Sequence, residues 1–233
     1  MSKKVYRLVK RHGQIDLLPA SQKDVWQEHS YLYLVDMIKS ILSVANIYYY
    51  HFNSAHYERA FAYELYHQWS KYIEKYHKSG NDKICLNAEV KKFLYGRRKL
   101  PDMVLHEDLS DNQEIVVEIK RMPSATAKSI VEDLKKIESF LTGIIGIGDN
   151  AERILMGFSP YKFGALVVTC GTIDGLAQLL SGKVLTLNNI AKRLKEAGKE
   201  GHLYCICTLE SGSLQYTTLE MLIEYMKQSK SQS

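Results

Sequence analysis

The chain has 233 residues, a charged fraction of 24% and a formal net charge of +5, as expected of one globular domain of good size. Its mild positive charge permits binding to nucleic acid without establishing it. No apolar run reaches the roughly 18 residues of a membrane-spanning helix, and the N-terminal residues lack the apolar segment of a signal peptide. The four cysteines have neither zinc-binding nor redox spacing. We therefore expect a cytoplasmic protein with reduced thiols and no membrane partner.

The N-terminal part of the chain is predicted to add a helix to the domain. Residues 3–20 are basic and irregular, which favours a solvated arm. Ser21 is a suitable N-cap for a helix that runs to about Ala45 and carries apolar residues at helical spacing. We interpret residues 1–50 as a helical extension that packs on the domain or forms a homodimer, without a chemical role.

A second helix, predicted over residues 54–78, carries a glutamate beside its apolar face. Glu64 adjoins apolar residues at helical spacing, where a carboxylate needs either a cationic partner or exposure to water. Two interpretations remain open at this point. Glu64 is either a rim residue paired with Arg59 or Lys71, or an acidic member of a functional site.

A basic segment separates the first predicted strand from the centre of the sequence. Residues 84–94 predict the strand, and residues 95–99 predict a turn that ends close to Asp102. A run of charges in a turn is commonly solvated, but a position beside an acidic site also suits phosphate contacts. Both interpretations apply to the three consecutive cations of this turn, which are Arg97, Arg98 and Lys99.

The next stretch predicts a β-hairpin. Two apolar runs, Met103–Leu105 and Ile115–Val117, flank a polar segment rich in Asp, Ser and Asn. If the turn is centred on Ser110, Asp102 lies opposite Glu118, because antiparallel partners are equally distant from the turn. Directly opposed side chains have Cβ atoms about 4.5–5.5 Å apart. The hairpin therefore brings two carboxylates together.

Lys120 shares the strand face of Glu118, because side chains alternate along a strand. Two opposed carboxylates repel each other and need a proton or a cation when they are buried. A divalent, oxygen-binding ion suits Asp102 and Glu118, and a lysine beside it would stabilise charge on a phosphate. The alternative is a solvated hairpin edge with a Glu–Lys pair, although the apolar neighbours of Glu118 favour an inner strand.

These residues resemble a known family. Pro101-Asp102 is followed by fifteen residues and then by Glu118-Ile119-Lys120, which resembles the motif of the PD-(D/E)XK nuclease superfamily. That superfamily includes restriction endonucleases, junction resolvases and repair nucleases. The resemblance implies a divalent-metal-dependent nuclease that hydrolyses phosphodiester bonds.

The resemblance extends over Tyr57 to Cys170, in the order helix, three strands, helix, strand. It implies a restriction-endonuclease-like α/β fold, in which helices flank a mixed central β-sheet, here with the added N-terminal helix. We expect a single domain, with residues 54–170 as the nuclease core and residues 171–233 as C-terminal α/β additions. The elements predicted after the hairpin are a helix at 125–141, a glycine-rich connector at 143–160, a strand at 165–170, helices at 173–180, 187–198 and 217–227, and a strand at 202–209.

The family resemblance also implies roles for individual residues. Asp102, Glu118 and the backbone carbonyl of Ile119 would hold Mg²⁺, with Mn²⁺ as a substitute. Lys120 would position or activate the attacking water and stabilise charge in the transition state. The helix before the first strand often carries a further acidic residue in this family, and Glu64 is the first choice for that catalytic and metal-binding role.

Several further residues are assigned by their expected position near this site. Glu58 is the second choice for the acidic residue on the helix, and Gln68 lies one turn beyond Glu64. Arg121 extends the basic rim formed by the three cations of the turn. Gln68, Arg121 and these three cations are the expected nucleic-acid contacts. Lys135 or Lys136, on the helix after the hairpin, would approach a phosphate or remain on the helix surface.

DNA is the favoured substrate, although the sequence does not distinguish it from RNA. The rival to the nuclease is a non-catalytic nucleic-acid-binding or assembly protein with the same fold, because a fold does not determine a function.

Overall fold

The computed structural model describes residues 6–11, 14–19, 28–48, 57–77, 84–88, 92–94, 97–99, 101–107, 112–146, 153–155, 159–209 and 212–230.

The described part of the chain contains both strands and helices. The strands are β1 (Tyr6–Arg11), β2 (Gln14–Pro19), β3 (Ile84–Ala88), β4 (Lys92–Leu94), β5 (Arg97–Lys99), β6 (Met103–Glu107), β7 (Gln113–Arg121), β8 (Ile144–Gly146), β9 (Arg153–Leu155), β10 (Phe163–Thr169), β11 (Leu203–Thr208) and β12 (Leu214–Thr218). The helices are α1 (Glu28–Tyr48), α2 (Tyr57–His77), α3 (Ala127–Thr142), α4 (Ile173–Leu180), α5 (Val184–Glu196) and α6 (Leu219–Lys230).

Six of the strands form a mixed sheet in the spatial order β12-β11-β10-β7-β6-β3. The adjacent strands β7, β10 and β11 are parallel to one another, whereas β12, β6 and β3 pair antiparallel with their neighbours. All seven residues of β10 are buried, as expected of a parallel strand that is covered on both faces. The expected mixed α/β architecture is confirmed.

Helices cover both faces of this sheet. On one face, α1 and α2 pack against the odd-numbered apolar residues of the hairpin, such as Met103 and Val117. On the other face, α3 to α6 pack against the even-numbered residues, such as Val104 and Val116. Because strand side chains alternate, Glu118 and Lys120 lie on the face of β7 that is covered by α3.

The predicted register of the central hairpin is confirmed. Met103 pairs with Val117, and Val104 pairs with Val116. A shift in register occurs further along, between Leu105 and His106. It therefore leaves the end of the hairpin that carries the acidic residues unchanged.

Several local predictions are wrong. Within residues 3–20, predicted to be irregular, β1 and β2 form a hairpin. Of the strand predicted over 84–94, the structure describes β3 in the six-stranded sheet and β4 in a separate two-stranded sheet. The partner of β4 is β5, which lies in the segment predicted as a basic turn. Both hairpins join two short strands through two residues, His12-Gly13 and Tyr95-Gly96, and short glycine-containing connections are typical of hairpins. The many positive charges in these segments instead favoured the interpretation as a solvated arm and a solvated turn.

Other boundaries differ less. The connector at 143–160 contains the short hairpin of β8 and β9, and β12 precedes the last helix where no strand was predicted. The predicted N-cap Ser21 lies outside the described residues, and α1 is described from Glu28. In the part of the chain that the structure describes, no helix combines the length and apolar character needed to cross a bilayer.

Candidate active site at the end of the central hairpin

Asp102 lies directly before β6, at the end of the hairpin where β7 carries Glu118. The backbone N–H of Ile119 donates a hydrogen bond of 2.6 Å to Oδ2 of Asp102. This bond fixes the Asp102 side chain against β7, near enough to Glu118 for the two carboxylates to repel each other. The hairpin therefore brings Asp102 and Glu118 together, as their spacing predicts.

Glu118 is almost completely buried, with 1% of its surface exposed. Burial is the main cause that raises the pKa of its carboxyl well above the usual range, and the nearby Asp102 charge raises that pKa further. Its Oε1 atom has no hydrogen-bond partner within the described part of the protein. A buried carboxylate oxygen without a partner is costly and calls for an explanation.

The helix α3 supplies a cation to this carboxylate. Nζ of Lys136 lies 2.6 Å from Oε2 of Glu118 and 3.8 Å from Oδ1 of Asp133. Asp133 and Lys136 are three residues apart and therefore occupy neighbouring positions on one side of the helix. Burial raises the pKa of Asp133, although Lys120 and Lys136 oppose this effect.

The sequence of α3 explains why this side of the helix meets the sheet. Thr126 begins the helix with a capping box, and Gly143 ends it in the left-handed conformation. Ile130, Leu134 and Ile137 recur at helical spacing and are fully buried. Asp133 and Lys136 flank this apolar stripe, so packing of the stripe brings both charges against β7.

Lys120 lies between two carboxylates from different elements. Its Nζ is 3.2 Å from Oδ2 of Asp133 and 3.7 Å from Oε1 of Glu58. Burial alone would lower the pKa of this ammonium, but Asp133 and Glu58 outweigh burial, and the pKa of Lys120 is raised. Lys120 is therefore positively charged at neutral pH and serves as a fixed cation and hydrogen-bond donor.

The acidic residue that α2 brings to this site is Glu58. Its Oε2 accepts a hydrogen bond of 3.3 Å from the backbone N–H of Arg121, in addition to the Lys120 contact. Glu64, the first choice from the sequence, instead accepts a hydrogen bond of 2.6 Å from Gln68. Glu58, the second choice, therefore takes the position assigned to Glu64, because it belongs to the first turn of α2, next to the end of β7.

An open cavity of about 140 Å³ lies beside these groups. Its wall contains Glu58, Asp102 and Ile119, together with Arg59 and Tyr63 from α2. Glu64 and Gln68 are not among the described residues that line it. The cavity gives Asp102 and Glu58 access to solvent, whereas Glu118 remains beneath α3.

The groups joined by these contacts carry an excess of negative charge. Two ammonium groups, Lys120 and Lys136, face four carboxylates, and Arg59 adds a guanidinium at the wall of the adjoining cavity. The four carboxylates are those of Glu58, Asp102, Glu118 and Asp133. A divalent cation would offset this excess.

The donor set is compatible with Mg²⁺ or Mn²⁺. Asp102 and Glu118 provide carboxylate oxygens, which both ions prefer, and the buried Oε1 of Glu118 lacks a partner. Within the described residues, no three Asp, Glu, His or Cys side chains are arranged as a complete ligand set. Mg²⁺ commonly keeps several waters and is held by one or two carboxylates, so a two-carboxylate site fits its chemistry.

The remaining candidate residues are the basic ones, which were predicted to contact nucleic acid or a phosphate. The backbone of β5 is described, but the side chains of its three cations are not, so their phosphate contacts remain a prediction. Arg121 is half-buried and follows Lys120 directly on β7. Lys135 is exposed on α3, whereas Lys136 points to the site.

Comparisons with known proteins add no relative. No family model, no curated protein and no solved structure matches the chain.

Proposed function

We propose that the protein is a divalent-metal-dependent nuclease that hydrolyses phosphodiester bonds in DNA, on a restriction-endonuclease-like fold. The observation that carries this proposal is the cluster of four carboxylates and two lysines, with its excess of negative charge and the partnerless buried Oε1 of Glu118. A purely structural network would be expected to balance its charges internally. A site that binds a cation and then a phosphate does not need this internal balance of charge.

In this proposal, Asp102 and Glu118 would hold Mg²⁺, with Mn²⁺ as a substitute, and the carbonyl of Ile119 would contribute a third oxygen. When bound, the metal lowers the pKa of water and neutralises charge on the phosphate. The hydrogen bond from the Ile119 N–H orients Asp102 towards the hairpin end. Glu58 holds Lys120 in place and adds negative charge at the cavity wall.

Lys120 would stabilise negative charge that develops on the phosphate and orient the attacking water. Its raised pKa keeps it protonated, so it acts as an electrostatic donor and does not remove a proton. Asp133 and Glu58 hold the ammonium between them, which reduces the reorganisation needed during the reaction. The proton of the attacking water would pass to bulk solvent through the open cavity.

A specific observation favours a second candidate, a non-catalytic nucleic-acid-binding or assembly protein. Lys136 contacts Glu118 at 2.6 Å and so already supplies one positive charge where the metal would bind. If that ion pair is permanent, the cluster would be a structural network within a binding protein.

The test is incubation of the purified protein with supercoiled, linear, single-stranded and branched DNA, and with RNA, in Mg²⁺, Mn²⁺ or EDTA. We expect cleavage of DNA in either metal and none in EDTA. Asp102→Asn, purified in the same way, controls for contaminating nucleases. Wild-type protein that binds no Mn²⁺ by calorimetry and cleaves no substrate would favour the second candidate.

A further inference from the structure

We propose that the cavity wall formed by Arg59 and Tyr63 receives an unpaired nucleotide, so that the substrate is DNA that is single-stranded at the site of cleavage. This inference rests on the proposed function for the identity of the ligand as nucleic acid. It adds which form of nucleic acid the site accepts. The juxtaposition of an aromatic ring and a cation with Asp102 and Glu58, two members of the acidic cluster, around one cavity carries it.

Tyr63 is the most exposed aromatic side chain among the described large hydrophobic residues, with 57% of its surface accessible. It lines the same cavity as Asp102 and Glu58. Exposed tyrosines commonly cover half-buried apolar surface, but Tyr63 lies on the solvent side of α2, opposite the buried Phe61 and Leu65. Its ring is therefore accessible to a ligand in the cavity.

Arg59 precedes Tyr63 by one helical turn, so both side chains lie on one side of α2 and both line the cavity. An aromatic ring stacks on any base, and a guanidinium contacts either the phosphate or the face of a base. Bases of an intact duplex are stacked on one another and present no free face. The pair therefore suits an unpaired strand and offers little to a blunt duplex.

The same side of α2 continues away from the cavity with exposed aromatic and basic residues. Tyr66, His67 and Lys71 follow at helical spacing and are exposed. A strand that enters the cavity beside Tyr63 has a surface of matching chemistry along the helix, because single-strand-binding proteins combine positive charge with stacking rings. This surface is continuous with the cavity that adjoins the acidic cluster.

The experiment measures binding by fluorescence anisotropy in EDTA, where no cleavage is expected. The probes are a labelled DNA strand of about 12 nucleotides, the matching blunt duplex, the duplex with a single-stranded overhang, and the RNA strand of the same sequence. Protein variants are Tyr63→Leu, Tyr63→Phe and Arg59→Met. Tyr225→Leu is the matched control, because Tyr225 is an exposed tyrosine on α6.

We expect the single strand and the overhang to bind more tightly than the blunt duplex. Tyr63→Leu should weaken single-strand binding by about 5- to 150-fold, the range for loss of one base–aromatic stack. Tyr63→Phe should retain affinity, since it keeps the ring, and Tyr225→Leu should bind as the wild type does. Arg59→Met should reduce the slope of log affinity against log salt by about 0.7, the value for one phosphate contact on a single strand.

Three results would overturn the inference: failure of the single strand to bind more tightly than the blunt duplex, including no binding of either, unchanged affinity in Tyr63→Leu, or tighter binding of RNA than of DNA. Melting by circular dichroism verifies that each variant is folded. Because binding is measured without metal, the outcome is independent of the proposed nuclease activity. Binding in EDTA that depends on Tyr63, without cleavage in Mg²⁺ or Mn²⁺, would refute the nuclease and retain the strand site. Cleavage in Mg²⁺ or Mn²⁺, with strand binding that does not depend on Tyr63, would retain the nuclease and refute the strand site.

Discussion

Nζ of Lys136 lies 2.6 Å from Oε2 of Glu118, a carboxylate that is 1% exposed. The two residues come from different elements, α3 and β7, and their contact joins the helical layer to the centre of the sheet. Lys136 supplies a positive charge to Oε2 of Glu118, whereas Oε1 has no hydrogen-bond partner among the described residues. If the site binds a metal ion as we propose, this contact limits how easily the ion is accommodated.

Replacement of Lys136 by methionine should increase the affinity for Mn²⁺. The ammonium repels a divalent cation and occupies one oxygen of Glu118, so its removal frees that oxygen and a negative charge. We expect a gain of several-fold in affinity, measured by calorimetric titration with Mn²⁺. Lys135→Met, one residue away and exposed, is the matched control and should bind Mn²⁺ as the wild type does. A loss of affinity in Lys136→Met would mean that the lysine helps to build the metal site.

The same substitution should destabilise the metal-free protein. Removal of one partner of a buried ion pair leaves the other charge uncompensated. Because a fifth of the Lys136 side chain is exposed, we expect a decrease of about 1–3 kcal/mol in the free energy of unfolding at neutral pH. Urea denaturation in EDTA would measure it, and addition of Mn²⁺ should restore more stability to this variant than to the wild type.

The pH dependence of stability should reveal the burial of Glu118. Its folded-state pKa is raised above the ordinary value of 4.5, so at intermediate pH the folded protein binds more protons than the unfolded chain does. Stability therefore decreases as the pH rises from about 4.5 to the raised pKa, and is constant above it with respect to this group.

Glu118→Gln should remove this loss. In EDTA at neutral pH the variant should melt at a higher temperature than the wild type, and the difference should vanish as the pH falls towards 4.5. A gain of 1 kcal/mol raises the melting temperature of a domain of this size by about 2–4 °C, which calorimetry resolves. Glu224→Gln, an exposed glutamate on α6, provides the control. A variant that is less stable at every pH would show that Glu118 is stabilising in its charged form.

The hairpin was predictable because its information is local. Two apolar runs around one polar segment determine the register, and the register brings Asp102 opposite Glu118. The sequence did not predict which glutamate of α2 lies at the site. Glu58 and Glu64 are both acceptable by periodicity, and the choice depends on which turn of the helix lies next to the end of β7. Tertiary packing determines that, and periodicity does not.

The contribution of α3 was only partly predictable. Lys136 was one of two lysines considered for the cleft, and the three-residue spacing of Asp133 and Lys136 beside an apolar stripe is a signal that the sequence contains. The buried charge of Asp133 was not anticipated, because an aspartate on an amphipathic helix is commonly solvated. The local hairpins were missed for a related reason, since their cations outweighed the glycine-containing connections between short strands.

A matched pair of variants on α2 compares Glu58 with Glu64. Glu58→Gln should weaken Mn²⁺ binding and lower the cleavage rate by about 10-fold or more, because it removes a charge that orients Lys120. Glu64→Gln should change neither quantity by more than about twofold, since an amide keeps its hydrogen bond with Gln68. Calorimetric titration and a cleavage assay on both variants measure this difference. The opposite ranking would restore Glu64 to the site.

The close approach of α3 to the sheet depends on Gly164. A Cβ atom at this position would lie 2.2 Å from Cγ2 of Ile137, the neighbour of Lys136. Gly164→Ala should therefore force α3 away from β10 and cost about 1–3 kcal/mol of unfolding free energy. Gly182→Ala is the control, because a Cβ there meets no atom within 4 Å. Equal stability of the two variants by urea denaturation would refute the tight contact.

Asp102 and Lys120 have different roles in the proposed mechanism, which substitutions should separate. Asp102→Asn should weaken Mn²⁺ binding, because an amide contributes no negative charge to a divalent ion, and cleavage should fall with metal occupancy. Lys120→Ala should retain or improve Mn²⁺ binding by removing a like charge, yet lose roughly 10²–10⁴-fold in rate, as is typical for a charge-stabilising or proton-transfer group.

Calorimetric titration and the cleavage assay are applied to both variants, with Lys128→Ala as the control from an exposed position on α3. Cleavage by Asp102→Asn that recovers at high Mn²⁺ concentration would agree with a metal ligand, whereas Lys120→Ala should not recover, because its metal site is intact. Full activity in Lys120→Ala would retain the nuclease and refute the role of the lysine. In that case Lys136, the other ammonium in the cluster, would be the group to test next for stabilisation of the phosphate charge.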